Sequence, residues 1–165
     1  MTCGKYGTLN PAAPPQTAQF GFLVGQWDAQ VWRRSASGIW DQEARRAYWE
    51  GHYILDGYAI ADYWYDHRLD DRPDTHRGVN VRFFNTSTGV WDVTWQHTED
   101  PLLIIHGEQR DGAMHLWTEQ PDGSLARIVF SNIQPDSWDW LMEVSDDEGE
   151  TWTPALRIRV KRKQC

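Results

Sequence analysis

Turn signals recur along this chain at short, regular intervals, and no other feature limits its fold so strongly. "LDGY" (Leu55 to Tyr58) carries the Asp and Gly of a two-residue hairpin turn, "NTSTG" (Asn85 to Gly89) a longer one, and "RDGA", "PDGS" and "DDEGE" repeat the theme. The segments between them are short and alternate apolar with polar residues. The pattern predicts about ten strands, at 26–34, 43–55, 58–67, 78–85, 90–98, 102–109, 113–119, 124–132, 137–145 and 151–162. Helix is predicted only as a turn at "AQFGFLVG". Consecutive hairpins favour an up-and-down meander, and at this strand number the sheet closes most simply into an antiparallel β-barrel without edges. The expected fold class is all-β.

At 165 residues the chain predicts one domain, residues 20–165, large enough to bury a core without staples. Residues 1–19 read as a flexible lead-in, because "NPAAPPQTA" offers Pro and Ala without periodicity. Cys3 and Cys165 sit at the extreme ends, which makes neither a disulfide framework nor a zinc site. The N-terminal stretch lacks the charged start and apolar core of a signal peptide, and no segment reaches the length of a membrane span. A soluble cytoplasmic protein with no membrane partner is the expectation. A net charge of −8 repels phosphate backbones, so nucleic acid is not expected as a partner. The basic "RIRVKRK" near the C-terminus alternates like a strand with one wet face. "HRLDDRPD" (His67 to Asp74) reads as a solvated loop. Oligomeric state is left open.

"SDDEGETW" (Ser145 to Trp152) fits the S-x-D-x-G-x-T-W pattern of the aspartate box, found in the blades of sialidase propellers. A propeller needs at least four blades, and the pattern occurs here once. The residues also have a local purpose: Ser and Asp bond nearby backbone, Gly takes a positive φ, and Trp packs under the hairpin. A structural turn is therefore expected.

"FGFLVGQW" opens the first strand with the G-x-W (Gly25, Gln26, Trp27) of lipocalin-like, or calycin, barrels. With "ILDGYAI", "RFFNTSTGVWDVTW" and "SWDWLMEVSDDEGETW" followed by a basic last strand, residues 20 to 162 resemble a bacterial lipocalin-like domain of unknown function of the DUF1579 kind. The barrel type is akin to that of nitrobindins. The resemblance implies that Trp27 closes one end of the barrel against an Arg of the final strand, Arg157 or Arg159. It also implies haem bound through a His near the C-terminal end of the barrel. This sequence departs from that pattern, since its last histidine is His115; His97 or His106 would have to supply an axial ligand. No cofactor is expected.

Eleven Trp, six Tyr and five Phe either stack in an aromatic core or line a pocket. Period-two alternation sorts the strands into faces. It turns inward Trp27, Ala29 and Val31; Val79, Val81 and Phe83; Trp91, Val93 and Trp95; Trp138, Trp140, Met142 and Val144; and Leu156, Ile158 and Val160. A slip of one residue would instead bring in His52, Arg82 or Glu143. Fixing a turn at Asp56 and Gly57 pairs Tyr53 with Ile60, Gly51 with Asp62, and Trp49 with Trp64. The face with Trp49, Tyr53, Tyr58, Asp62 and Trp64 is favoured as internal, because its alternate carries Arg46, Glu50, His52 and His67.

Asp62 thereby becomes a lone carboxylate among Trp and Tyr rings. Desolvation there would suit a general acid or base or a grip on a ligand, whereas a phenol or Arg82 would make it a structural pair. His97, His106 and Asn132 are further polar groups near the cavity. The leading reading is a binding barrel for an apolar or aromatic small molecule, lined by Trp49, Tyr53, Tyr58, Trp64, Trp95, Trp138, Trp140 and Met142. The alternative is a cofactor-free isomerase, cyclase or hydratase using Asp62, and a second alternative is a haem protein of nitrobindin type. An interaction domain presenting Tyr48, Tyr63, Tyr65 and Trp117 would need a large apolar surface patch.

Overall fold

The computed structural model describes residues 5–66 and 76–163. The two cysteines and the whole of the stretch from His67 to Asp74 lie outside the described residues. Ten antiparallel strands form a closed barrel: β1 (Gly25–Arg33), β2 (Arg45–Ile54), β3 (Ala59–Asp66), β4 (His76–Asn85), β5 (Val90–His97), β6 (Leu103–Arg110), β7 (Ala113–Glu119), β8 (Leu125–Gln134), β9 (Ser137–Ser145) and β10 (Thr153–Arg162). Each strand pairs with its sequence neighbours, and β10 closes on β1 from Trp27↔Arg162 to Arg33↔Leu156. The all-β expectation holds, and the strand order is a simple meander. Among the described residues, no helix is long and apolar enough to cross a membrane.

The β2–β3 register follows the expected pairs Trp49↔Trp64, Gly51↔Asp62 and Tyr53↔Ile60. Asp56 (φ 54°) and Gly57 (φ 80°) supply the left-handed turn that sets it. Gly51 has a different purpose from the one its position suggests. It is expected to leave room for a ligand beside Asp62, but a Cβ there would collide with the Leu23 carbonyl, so its missing side chain admits backbone instead.

That backbone follows directly on the lead-in, whose described part is itself hydrogen-bonded to the β2–β3 hairpin. Where β1 has ended, the Tyr53 N–H donates to the Tyr6 carbonyl at 2.8 Å, and Asn10 Nδ2 donates to the Asp56 carbonyl at 2.9 Å. A 3-10 segment, Pro15–Leu23, then crosses one end of the barrel. It buries Phe20 and Leu23 completely. The helical turn expected at "AQFGFLVG" overlaps this segment; its docking was hidden because a 3-10 segment has no 3.6-residue period, yet two large side chains pointing into a barrel mouth are enough to fix it.

Around that plug the rings of Phe22, Phe130, Trp27, Trp49 and Trp138 pack edge to face or tilted, with centroids 4.8–6.0 Å apart. Trp27 Nε1 donates to the Leu23 carbonyl at 2.8 Å. The cation over Trp27 is Arg162, 4.1 Å from the ring, rather than Arg157 or Arg159. Arg157 faces outward and lies 5.0 Å from the rings of Trp32 and Trp40. Arg162 is correct because it stands directly opposite Trp27 in the β1–β10 register.

One strand is turned the other way from its expectation. In β4, Val81 and Phe83 are exposed, while Gly78, Asn80, Arg82 and Phe84 face in. The apolar face lost because Asn80 and Arg82 are the partners of a buried carboxylate on β3.

Candidate functional site

The strands converge on two unlike ends. At the end opposite the plug, β1, β3, β5, β7 and β9 finish, and the barrel holds a cavity of about 490 Å³. Its walls are apolar: Trp64, Trp95, Trp140, Met142, Leu103, Ile105, Leu116, Ile128 and Leu156 come from seven strands. These are inward positions of alternating strands, so the barrel pleat aims them at one volume. Trp95 lies flat over Gly78, where any Cβ would strike the indole. The rim is polar, with Arg33, Asp66, His97, Glu99, Asp100 and Gln120.

Trp49, Asn80, Arg82 and Phe130 line the cavity where it meets the plugged end. Arg82 is itself only 2% exposed, and behind these residues Asp62 is 1% exposed. Arg82 Nε donates to Asp62 Oδ2 at 2.5 Å and Nη2 to Oδ1 at 3.3 Å. Trp49 Nε1 and Asn80 Nδ2 also donate to Oδ1, at 2.7 and 2.8 Å. The Arg82 guanidinium packs against the edge-to-face pair of Phe20, 4.6 Å from the ring centroid, and Phe130, 5.4 Å away. This is the paired arrangement that a buried charge requires. With four donor contacts and no place on the cavity wall, Asp62 is poorly presented to take a proton from a substrate.

The structure separates the sequence-derived site residues. Trp49, Trp64, Trp95, His97, Trp140 and Met142 border the cavity. Trp138 faces in but lies at the plugged end, 1% exposed, against Trp27 and Trp49. Tyr53 also belongs there: a Cβ on Gly21 would come within 2.7 Å of its hydroxyl, and burial raises the phenol above its ordinary pKa. Tyr58 stands at the β2–β3 turn, outside the cavity lining.

His106 points outward, because Ile105 takes the inward position beside it, and its Nδ1 is 3.0 Å from Asp92. Asn132 is exposed at a bulge in β8, with φ 50° and a 2.7 Å hydrogen bond to Asp139. Glu143 and His52 stay outside, paired with Arg127 and Glu50. The inward faces assigned from sequence include none of β6, β7 or β8, which misses Ile105, Leu116, Ile128 and Phe130, and they put Asn80 and Arg82 on the outer face of β4. The signal that could have found Asn80 and Arg82 was the need of Asp62 for donors on the strand next to it.

Two further features bear on function. His97, at the end of β5, has its ring stacked on Trp95 (5.7 Å, 25°) and its Nδ1 3.1 Å from Asp100. It is the only described histidine lining the cavity, and it sits on the polar rim; these residues do not fit the haem site that the resemblance implies. Among the described residues no group of three His, Cys, Asp or Glu is placed to hold a metal ion. The Ser145 to Trp152 turn is built as its sequence suggests. Asp147 accepts from the Thr151 N–H (2.8 Å), the Thr151 hydroxyl (2.5 Å) and the Ser145 hydroxyl (2.7 Å), and Trp152 Nε1 donates to the Gly149 carbonyl (3.1 Å). Those hydrogen bonds lower the Asp147 pKa to about 2.

No family model and no curated protein matches the sequence. The likeness to known proteins is one of fold. The S-type phycobiliprotein lyase CPES from Guillardia theta superposes with a TM-score of 0.58 at 13% identity, over 88% of this chain and 91% of that one. Rv2717c from M. tuberculosis superposes with a TM-score of 0.56 at 10% identity, over 92% and 99%. These neighbours share the architecture of the chain. The narrower DUF1579 likeness has no family model behind it.

Proposed function

We propose that this barrel binds an apolar or aromatic small molecule in the cavity between the polar rim and the Arg82–Asp62 floor. The observation that carries the reading is the space itself: about 490 Å³ with aromatic and aliphatic walls, well inside the usual range for small-molecule sites. A core meant only for stability would fill such a volume, because empty apolar space forfeits packing. The plugged end lends support, since Phe20, Leu23 and Trp27 close the barrel there and leave the rim as the way in. The enzymatic alternative built on Asp62 loses its motive, since that carboxylate is occupied by Arg82, Trp49 and Asn80.

The test is a screen of apolar and aromatic metabolites by intrinsic tryptophan fluorescence, repeated on Ala126→Phe. Ala126 is buried on the cavity wall, so the added ring takes up ligand space. Saturable one-to-one quenching that weakens in the variant, with the fold retained by circular dichroism, is expected. Binding that is indifferent to the filled cavity would contradict the reading.

A further inference from the structure

Arg82 has a hydrogen-bonding edge that the fold leaves unused. Nε and Nη2 form the fork on Asp62, and the planar guanidinium therefore carries Nη1 on a different edge. Nη1 is buried and has no hydrogen-bond partner among the described residues. The side chain that holds it lines the cavity and is 2% exposed. A buried charged donor without an acceptor is unfavourable, so a cavity occupant that brings one is favoured over an occupant that does not.

The surrounding charge decides which acceptor. Arg82 is already neutralised by Asp62 at 2.5 Å, so the floor carries no net charge. A carboxylate there would be a second anion beside one guanidinium, in surroundings of Phe20, Phe130 and Trp49 that solvate it poorly. It would also enter a chain of net charge −8, past a rim on which Arg33 is accompanied by Asp66, Glu99 and Asp100. A carbonyl oxygen meets neither obstacle.

Resting on the cavity-binding reading above, we propose that Arg82 Nη1 donates to an uncharged carbonyl oxygen of the ligand. The cavity thus selects neutral aromatic or conjugated ketones, aldehydes and amides over carboxylic acids and plain hydrocarbons.

Three probes of one shape test this: 2-acetylnaphthalene, 2-ethylnaphthalene and 2-naphthoate, titrated calorimetrically into the full chain at neutral pH. The ketone is expected to bind about ten-fold or more tighter than the hydrocarbon, as one hydrogen bond to a charged donor allows, and tighter than the carboxylate. In Asp62→Leu/Arg82→Met, which removes both charges together, the preference for the ketone over the hydrocarbon should disappear. If that variant does not fold, the infrared carbonyl stretch of 13C-labelled ketone bound to the wild type decides. A shift to lower frequency than in alkane supports the donor. An unshifted carbonyl, equal affinity for ketone and hydrocarbon, or tightest binding of naphthoate overturns the inference while leaving the cavity reading standing. Failure of all three to bind up to their solubility removes both.

Discussion

The two ends of this barrel are made from the same alternating strands and do opposite things. At one end the Pro15–Leu23 segment brings Phe20 and Leu23 across the mouth, and indoles, phenyl rings and Arg162 pack around them. At the other, Trp64, Trp95, Trp140 and Met142 stand apart around about 490 Å³. Aromatic content alone therefore does not separate a core from a pocket; what separates them is whether a further segment of chain reaches in. The Arg82–Asp62 pair marks the boundary, since Arg82 packs against Phe20 of the plug and also lines the cavity.

The largest effect should come at that boundary. Asp62→Asn keeps the side-chain shape, which on sequence grounds ought to preserve the fold, but it leaves Arg82 buried without its counter-charge. A loss of about 3 to 5 kcal/mol in urea unfolding is expected. Asp62→Leu/Arg82→Met should lose much less, because no charge is stranded. A single variant as stable as the wild type would mean that the pair does not hold the two ends together.

Comparable in size is the effect at the plug. Phe20→Ala deletes a fully buried ring and should cost about 3 to 5 kcal/mol. Met142→Ala at the open end should cost no more than about 2 kcal/mol, the low end for such truncations, since its side chain already borders a void and is half-buried. Equal losses at the two positions would erase the contrast between the ends.

A smaller effect belongs to the turn at Ser145 to Trp152. Asp147→Ala should lower the melting temperature by a few degrees and leave ligand affinity unchanged. The pH dependence has a definite sign. The folded pKa is about 2 against an ordinary 3.8, so the unfolded chain binds the proton more readily. The contribution of Asp147 is full above about pH 5 and fades as pH falls through 3.8 towards 2. Wild type and Asp147→Ala should therefore differ in stability at pH 6 and converge near pH 2. A difference that persists at pH 2 would show that the carboxylate charge is not what matters.

How much of this was legible in the sequence depends on which residue is asked about. The Asp56–Gly57 turn fixed the β2–β3 register and put Asp62 inside, because turn geometry and a period of two are local properties. The inward face of β4 was not local. Val81 and Phe83 look like core, and only the donors demanded by Asp62 one strand away explain why Asn80 and Arg82 displaced them. Alternation also gives the side of the sheet without the depth along the barrel. Trp138 and Trp140 are neighbours on one inward face, yet the first is sealed beneath the plug and the second borders the cavity. Depth follows from strand stagger and from the lead-in, neither of which has a periodic signal.

The most direct measurement of the contrast uses the indoles at both ends at once. Protein labelled with 5-fluorotryptophan and titrated with 2-acetylnaphthalene reports each ring separately by 19F NMR once the resonances are assigned by single Trp→Phe substitutions. Trp64, Trp95 and Trp140 should shift in proportion to occupancy, while Trp27 and Trp138 beneath the plug hold their positions. Shifts confined to Trp27 and Trp138, or a saturable binding event that moves none of the cavity indoles, would show that the ligand space is not the one between the rim and Arg82.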